Sequence, residues 1–137
     1  MIAKNQIEAY MQPLQSAFSA HSRRQQLLSS NIANANTPQY KARDLDFKAA
    51  MDSVFSGEAA AGGGMWLTNE RHLSGDAGGA WDQFTKYRAE YQGAVDGNTV
   101  NMDMERADFA ENGLRMEALI MLVRKRIEGL QTAMRER

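Results

Sequence analysis

The sequence contains no cysteine, which excludes a disulfide scaffold, thiolate metal sites and a cysteine nucleophile. Two histidines leave little for metal ligation or acid–base catalysis. The net charge is −1, so there is no bulk positive field to hold a nucleic-acid backbone or an anionic membrane surface. The longest unbroken apolar run, Ala118 to Val123, falls far short of a membrane-spanning helix. The opening stretch from Met1 to Gln15 has neither an apolar core segment nor a small-residue cleavage site, so no cleaved secretory signal is expected. No phosphate-cradling loop, GxGxxG, nucleophile elbow or His-x-x-x-His occurs. Asp44 and Asp46 alternate with Leu45 and Phe47, and read as a half-exposed extended segment rather than an acid–base pair. His72 has no second histidine nearby, and His21 reads as a solvated or capping group. The chain is therefore expected to be no enzyme, with no catalytic residue, cofactor or metal, no nucleic-acid partner and no direct membrane insertion.

What is present is helix periodicity at both ends. With 137 residues, 43% of them hydrophobic, the chain suffices for one modest core. In residues 1–35 the larger apolar side chains fall at Ile7, Met11, Leu14, Phe18, Leu28 and Ile32, a four-three alternation with a polar gap at His21 and Gln25. Pro13 lies inside this pattern and predicts a kink or a late helix start. In residues 99–137 one stripe reads Val100, Met104, Ala107, Leu114, Ala118, Met121, with Glu111 as the odd member. A second reads Met116, Ile120, Val123, Ile127, Leu130, Met134. Asp103 and Glu105 open this helix while Arg124, Lys125, Arg126, Arg135 and Arg137 crowd its end, both favourable to the helix dipole. The basic cluster is explained by that dipole better than by nucleic acid or lipid. Residues 36–98 hold most of the glycines; short strands are expected near Met65–Thr68 and Thr85–Tyr91, and a turn, closing a small hairpin, at Asp96-Gly97.

A helix from Thr99 to Arg135 would be about 55 Å long. A globule of this chain length is only about 37 Å across. The stretch from Ala118 to Val123 is apolar around its whole circumference, so it must be enclosed on several sides. The thirty-odd residues at the N-terminus are too few to wrap it, and burial by neighbouring subunits is expected, the alternative being that the central region folds over it.

The segment Ser29-Ser30-Asn31-Ile32-Ala33-Asn34-Ala35-Asn36-Thr37-Pro38-Gln39-Tyr40 has the physics of a helix end followed by a fixed change of direction. Asn34 and Asn36 favour helix termini and left-handed backbone, and Pro38 forbids further helix and extends Thr37. The plain alternative is an ordinary C-cap and turn.

Asn-Ile-Ala-Asn-x-x-Thr-Pro-x-Tyr after an amphipathic helix resembles the signature of the flagellar axial family of rod, hook and hook-filament junction proteins. The continuation Lys41 to Phe47, the stretch Asp96 to Glu105 and Ala110-Glu111-Asn112 resemble the proximal-rod members of that family. The likeness covers both ends, about 75 residues, and is weak over Val54 to Gln92. It departs at Gln39, where the family usually has glycine, the residue that tolerates positive φ; Gln39 must adopt that conformation or use a different turn.

The resemblance implies a mainly α fold in which N- and C-terminal helices pair as an antiparallel coiled coil, with a small irregular, β-containing central segment. It implies a structural subunit of the proximal rod in the flagellar basal body, in the periplasmic space, exported through the flagellar type III pathway without a cleaved signal peptide. Its partners would be other copies of itself, other rod proteins, the membrane ring and the export apparatus. Asn31, Ile32, Ala33, Asn34, Thr37, Pro38 and Tyr40 would take the structural role of the axial signature. Pairing of the two helices would bury Leu14, Phe18, Leu28 and Ile32 against Leu114 and Met121. Packing between subunits would use Met116, Ile120, Val123, Ile127, Leu130 and Met134, where adaptable methionines suit non-identical neighbours, or else simply fill a core. The alternative function is a soluble coiled-coil adaptor or chaperone-like binding module that does not polymerise.

Overall fold

The computed structural model describes residues 2–56, 81–88 and 95–135, with side chains from residue 11 onward in the first helix. The strand expected at Met65–Thr68, His72 and the side chain of Ile7 lie outside the described residues. The fold is mainly helical: α1 spans Ile2–Ala33, α2 spans Phe47–Ser56 and α3 spans Met102–Arg135. Between them lie β1 (Arg43–Leu45), a short 3-10 turn (Asp82–Phe84) and β2 (Thr85–Tyr87). β1 and β2 pair antiparallel, with Arg43 opposite Tyr87, Asp44 opposite Lys86 and Leu45 opposite Thr85.

α1 runs through Pro13 without a late start. A proline there removes one backbone donor, and the long apolar-periodic helix around it absorbs that loss. α1 ends where Asn34 and Ala35 turn their amides back onto Ser30, Asn31 and Ile32. α3 begins at a side-chain cap: Asn101 Oδ1 accepts from the amides of Asp103 (3.1 Å) and Met104 (3.3 Å). Asp46 caps α2 in the same way, accepting from Ala49 N at 3.1 Å. Asp44 thus lies in β1 and Asp46 caps α2, so the extended segment expected through Phe47 stops at Leu45.

α1 is the central element. Its Ala20 and Leu27 side packs on Leu45, with Phe47, Trp81 and Phe84 closing around them. Trp81 fixes its indole by donating to Ser19 Oγ at 2.7 Å. On another side α1 meets α3: Asn31 bonds Glu105, and His21 and Gln25 bond Asn112. Falling numbers on α1 therefore meet rising numbers on α3, and the two helices run antiparallel. Asp96-Gly97 forms a turn, with Gly97 at φ 71°. It leads into an irregular segment that pairs with the stretch after α1, through Gln39 N to Asp96 O (3.0 Å) and Thr99 N to Tyr40 O (3.1 Å), rather than into a hairpin strand.

Candidate functional site

The residues singled out at the two ends of the sequence meet at one junction. Asn31 is fully buried and uses its whole amide. Its Nδ2 donates to Arg43 O (2.8 Å) and Glu105 Oε2 (3.1 Å), while its Oδ1 accepts from Arg43 N (3.1 Å) and Tyr40 OH (3.3 Å). One side chain thus closes the outer edge of β1 and ties α1 to α3. The Tyr40 hydroxyl also lies 3.2 Å from Ser30 Oγ. Asn34 folds its amide back onto Ser30 O (2.8 Å) and accepts from Thr37 Oγ1 (3.2 Å). Ile32 is half-buried, while Ala33, Thr37 and Pro38 are exposed.

The turn that follows α1 is held from the far end of the sequence. Asn98 is buried, and its Nδ2 lies 3.1, 2.8 and 3.0 Å from the carbonyls of Asn34, Ala35 and Thr37. These carbonyls belong to the turn that follows α1, and those of Asn34 and Thr37 also accept the amides of Thr37 and Tyr40. Its Oδ1 accepts from Val100 N at 2.8 Å. Thr99 Oγ1 accepts from Ala42 N at 2.8 Å. Gln39 adopts φ 60°, the left-handed conformation. It sits against Gly97, whose added Cβ would lie 3.8 Å from the Gln39 Cα. The strained Gln39 is held by its amide bond to Asp96 O.

Beside this junction lies a charge cluster that draws on α1, β1, α3 and Arg88, the residue after β2. Arg24 grips Asp44 with both arms of its guanidinium, at 2.9 and 3.0 Å. Arg88 donates to Asp44 (2.9 Å), Glu105 (2.7 Å) and Asp108 (3.0 Å). Burial alone would raise the Asp44 carboxyl; hydrogen bonds from Arg24 and Arg88 outweigh it and hold Asp44 below its ordinary value. Glu105 is fully buried, and there burial wins: its carboxyl is pushed above the ordinary value against the Asn31 amide and the Arg88 charge. Sequence reading missed this cluster, because Arg88 lies in a region without periodicity and its partners are 17 to 44 residues away.

The helix seam is more polar than the apolar stripes imply. His21 is buried, not solvated. Its ring lies 4.4 Å from that of Phe47, and Nδ1 is 2.7 Å from Asn112 Oδ1. The Asn112 Nδ2 donates to His21 O (3.0 Å) and Gln25 Oε1 (2.6 Å), so its oxygen faces the ring and His21 Nδ1 carries the donated proton. The polar gap at His21 and Gln25 is therefore where Asn112 is received. On α1, Leu28 is fully buried, Leu14 and Ile32 are half-buried, and Phe18 is 38% exposed. On α3 the inward residues are Glu105, Asn112, Met116, Leu119 and Val123, at heptad spacing. Leu114 and Met121, assigned from sequence to the seam, are instead 67% and 59% exposed. They lie about half a turn round from Asn112 and Leu119, because two residues of helix rotate by about 200°. The other stripe divides: Met116 and Val123 are half-buried, while Ile120, Ile127, Leu130 and Met134 are exposed.

Among the described residues no group of three or more His, Cys, Asp or Glu is placed to hold a metal ion. No described helix is long and apolar enough to cross a membrane. The hydrogen bonds of the junction lock a helix end, a strand and a second helix together.

Comparison with known proteins points the same way. Residues 11–41, which carry most of α1 and the signature, match the family "Flagella basal body rod protein". Similar relatives include the flagellar basal body rod protein FlgB of Proteus mirabilis, 35% identical over 124 residues, covering 89% of this chain and 90% of that one. The FlgB of Cereibacter sphaeroides is 42% identical over 112 residues, covering 82% and 83%. That of Salmonella typhimurium is 33% identical over 132 residues, covering 95% and 96%. With such identity across nearly its whole length, the chain belongs to the FlgB family of flagellar basal body rod proteins.

Proposed function

We propose that this chain is a structural, non-enzymatic subunit of the proximal rod, at the base of the flagellar axial structure, which self-assembles through its terminal helices. The observation that carries the proposal is the middle of α3. Ala118 to Val123 is apolar on every side, yet α1 covers one side only. Ile120, Met121 and Leu122 remain 39%, 59% and 40% exposed. Covering what is left of each, with Ile127 and Leu130 beyond, is worth roughly 1 kcal/mol per side chain. In water that surface is a liability; between neighbouring subunits it is the adhesive.

The junction supplies the complementary part. Asn31, Asn98, Glu105 and Arg88 fix how α1 leaves into the central segment and where α3 starts, so each subunit offers its helix pair in one geometry. Its neighbours in this proposal are other copies of itself and other rod proteins, then the membrane ring and export apparatus at the rod's base. It reaches the periplasmic space through the flagellar type III export pathway. Met116, Ile120, Val123, Ile127, Leu130 and Met134 serve packing between subunits, with Met116 and Val123 shared with the seam. Substituting Ile120→Asp or Leu130→Asp is expected to abolish incorporation into rods while leaving expression unchanged. Normal rods from both variants would overturn the proposal.

A further inference from the structure

α3 also presents an outer face, opposite α1, that no described residue covers. Leu114 and Met121 stand on it one heptad apart, with the small Ala107 and Ala110 on the same side. It lies beside the Met116–Met134 stripe proposed for packing within the rod and shares Met121 with the apolar middle of the helix. Charges flank it with a definite sense. Arg106 and Glu111 precede Leu114, and Lys125 and Glu128 follow Met121. Glu111 already pairs with Arg115 along the helix.

From this arrangement we infer that, in the free chain, the outer face of α3 pairs with the same face of a second copy. The two helices run antiparallel about a two-fold axis between Glu117 and Ala118. About that axis Leu114 of each copy meets Met121 of the other. Glu111 and Lys125 are about four whole turns apart, so they lie on one flank and meet across the axis. Arg106 and Glu128, about six turns apart, do the same on the other flank. A parallel pair would set each charge against itself; only the antiparallel pair sets acid against base twice over. The axis also brings Glu117 close to its own copy. That like-charge contact keeps the dimer weak, which suits a subunit that must separate before it assembles. The dimer covers Leu114 and Met121 until then.

The cysteine-free sequence makes the test clean. The full chain is expected to sediment as a reversible dimer at about 100 µM, weakening about three- to tenfold as salt rises from about 50 to about 500 mM. Glu117→Gln is expected to tighten it several-fold. Leu114→Cys and Met121→Cys, each shown by circular dichroism to be helical, are expected to form a disulfide only when mixed. In either variant alone the two thiols lie about 10 Å apart along the axis, beyond disulfide reach. A monomeric wild type, a distribution of larger species with no dimer, or self-linking of either variant alone would overturn the inference. A dimer indifferent to both salt and Glu117→Gln would overturn its register.

Discussion

Asn31→Asp alters one buried atom pair and should be among the most damaging isosteric changes available to this chain. The amide nitrogen of Asn31 donates to Arg43 O and to Glu105 Oε2, and a carboxylate can do neither. Each lost bond costs about 1 kcal/mol, and leaving the buried acceptors unpaired adds about 1 to 3 kcal/mol more. The new carboxylate would also stand where a nitrogen now lies 3.1 Å from a buried carboxylate oxygen. At an effective dielectric constant of about 20, that repulsion is about 5 kcal/mol, which the site escapes in part by taking up a proton. A loss of about 3 to 5 kcal/mol is expected at pH 7, or a melting temperature lower by about 10 to 15 °C. The sign of its pH dependence follows. The new carboxyl's folded pKa is raised above its unfolded value, so the penalty is full above the folded value and relieved as pH falls through it. Combining it with Glu105→Gln should restore about 1 to 2 kcal/mol, because a Gln amide can donate to Asp at 31 while its oxygen still faces Arg88. Urea denaturation followed by circular dichroism between pH 4.5 and 8 measures all three. A loss under about 0.5 kcal/mol at pH 7, or no recovery in the double variant, would refute the role given to Asn31.

Gln39→Gly should stabilise the chain by up to about 1 kcal/mol, because glycine holds φ 60° without a Cβ clash; the urea midpoint reads this directly. Acid titration of the wild type should show two opposed effects. As pH falls, Glu105, whose folded pKa is raised, takes up its proton in the folded state first and adds a little stability. Asp44, whose folded pKa is depressed, contributes stability above its unfolded value that is lost as pH falls further through the folded value. Stability is therefore expected to peak at mildly acidic pH, and Asp44→Asn, at a cost of about 2 kcal/mol, should remove most of the loss on the acid side.

Much of this fold was legible in the sequence, for reasons that also mark where legibility stops. Two long apolar-periodic stretches announce two helices, and the Asn31–Tyr40 and Asp96–Glu105 segments announce a helix end and a helix start. Their meeting in space is not readable: nothing local in Asn98 says that it holds the turn after a helix more than sixty residues earlier. The seam residues were misjudged because apolar spacing was taken to mark the inward face of α3. That face carries Glu105 and Asn112 at its polar positions, satisfied by Asn31, Arg88, His21 and Gln25. The signal was the heptad spacing of Glu105 and Asn112 in phase with Leu119, which apolar counting passes over. His21 misled for the same reason: a polar side chain looks solvated until a distant amide is found opposite it. The turn at Gln39 kept the left-handed geometry that glycine would favour, because Asp96 and Gly97 hold it from outside.

In the proposed rod, the apolar middle of α3 is completed by neighbours rather than by its own chain. Amide hydrogen exchange read by mass spectrometry, on the dilute monomer and on assembled rods, tests it most directly. In the monomer the first half of α3, anchored through Glu105 and Asn112, should exchange slowly, and residues 116–135 markedly faster. In rods the second half should become as protected as the first. Equal, strong protection of 116–135 in both states would contradict the account and mean that the chain completes its own core.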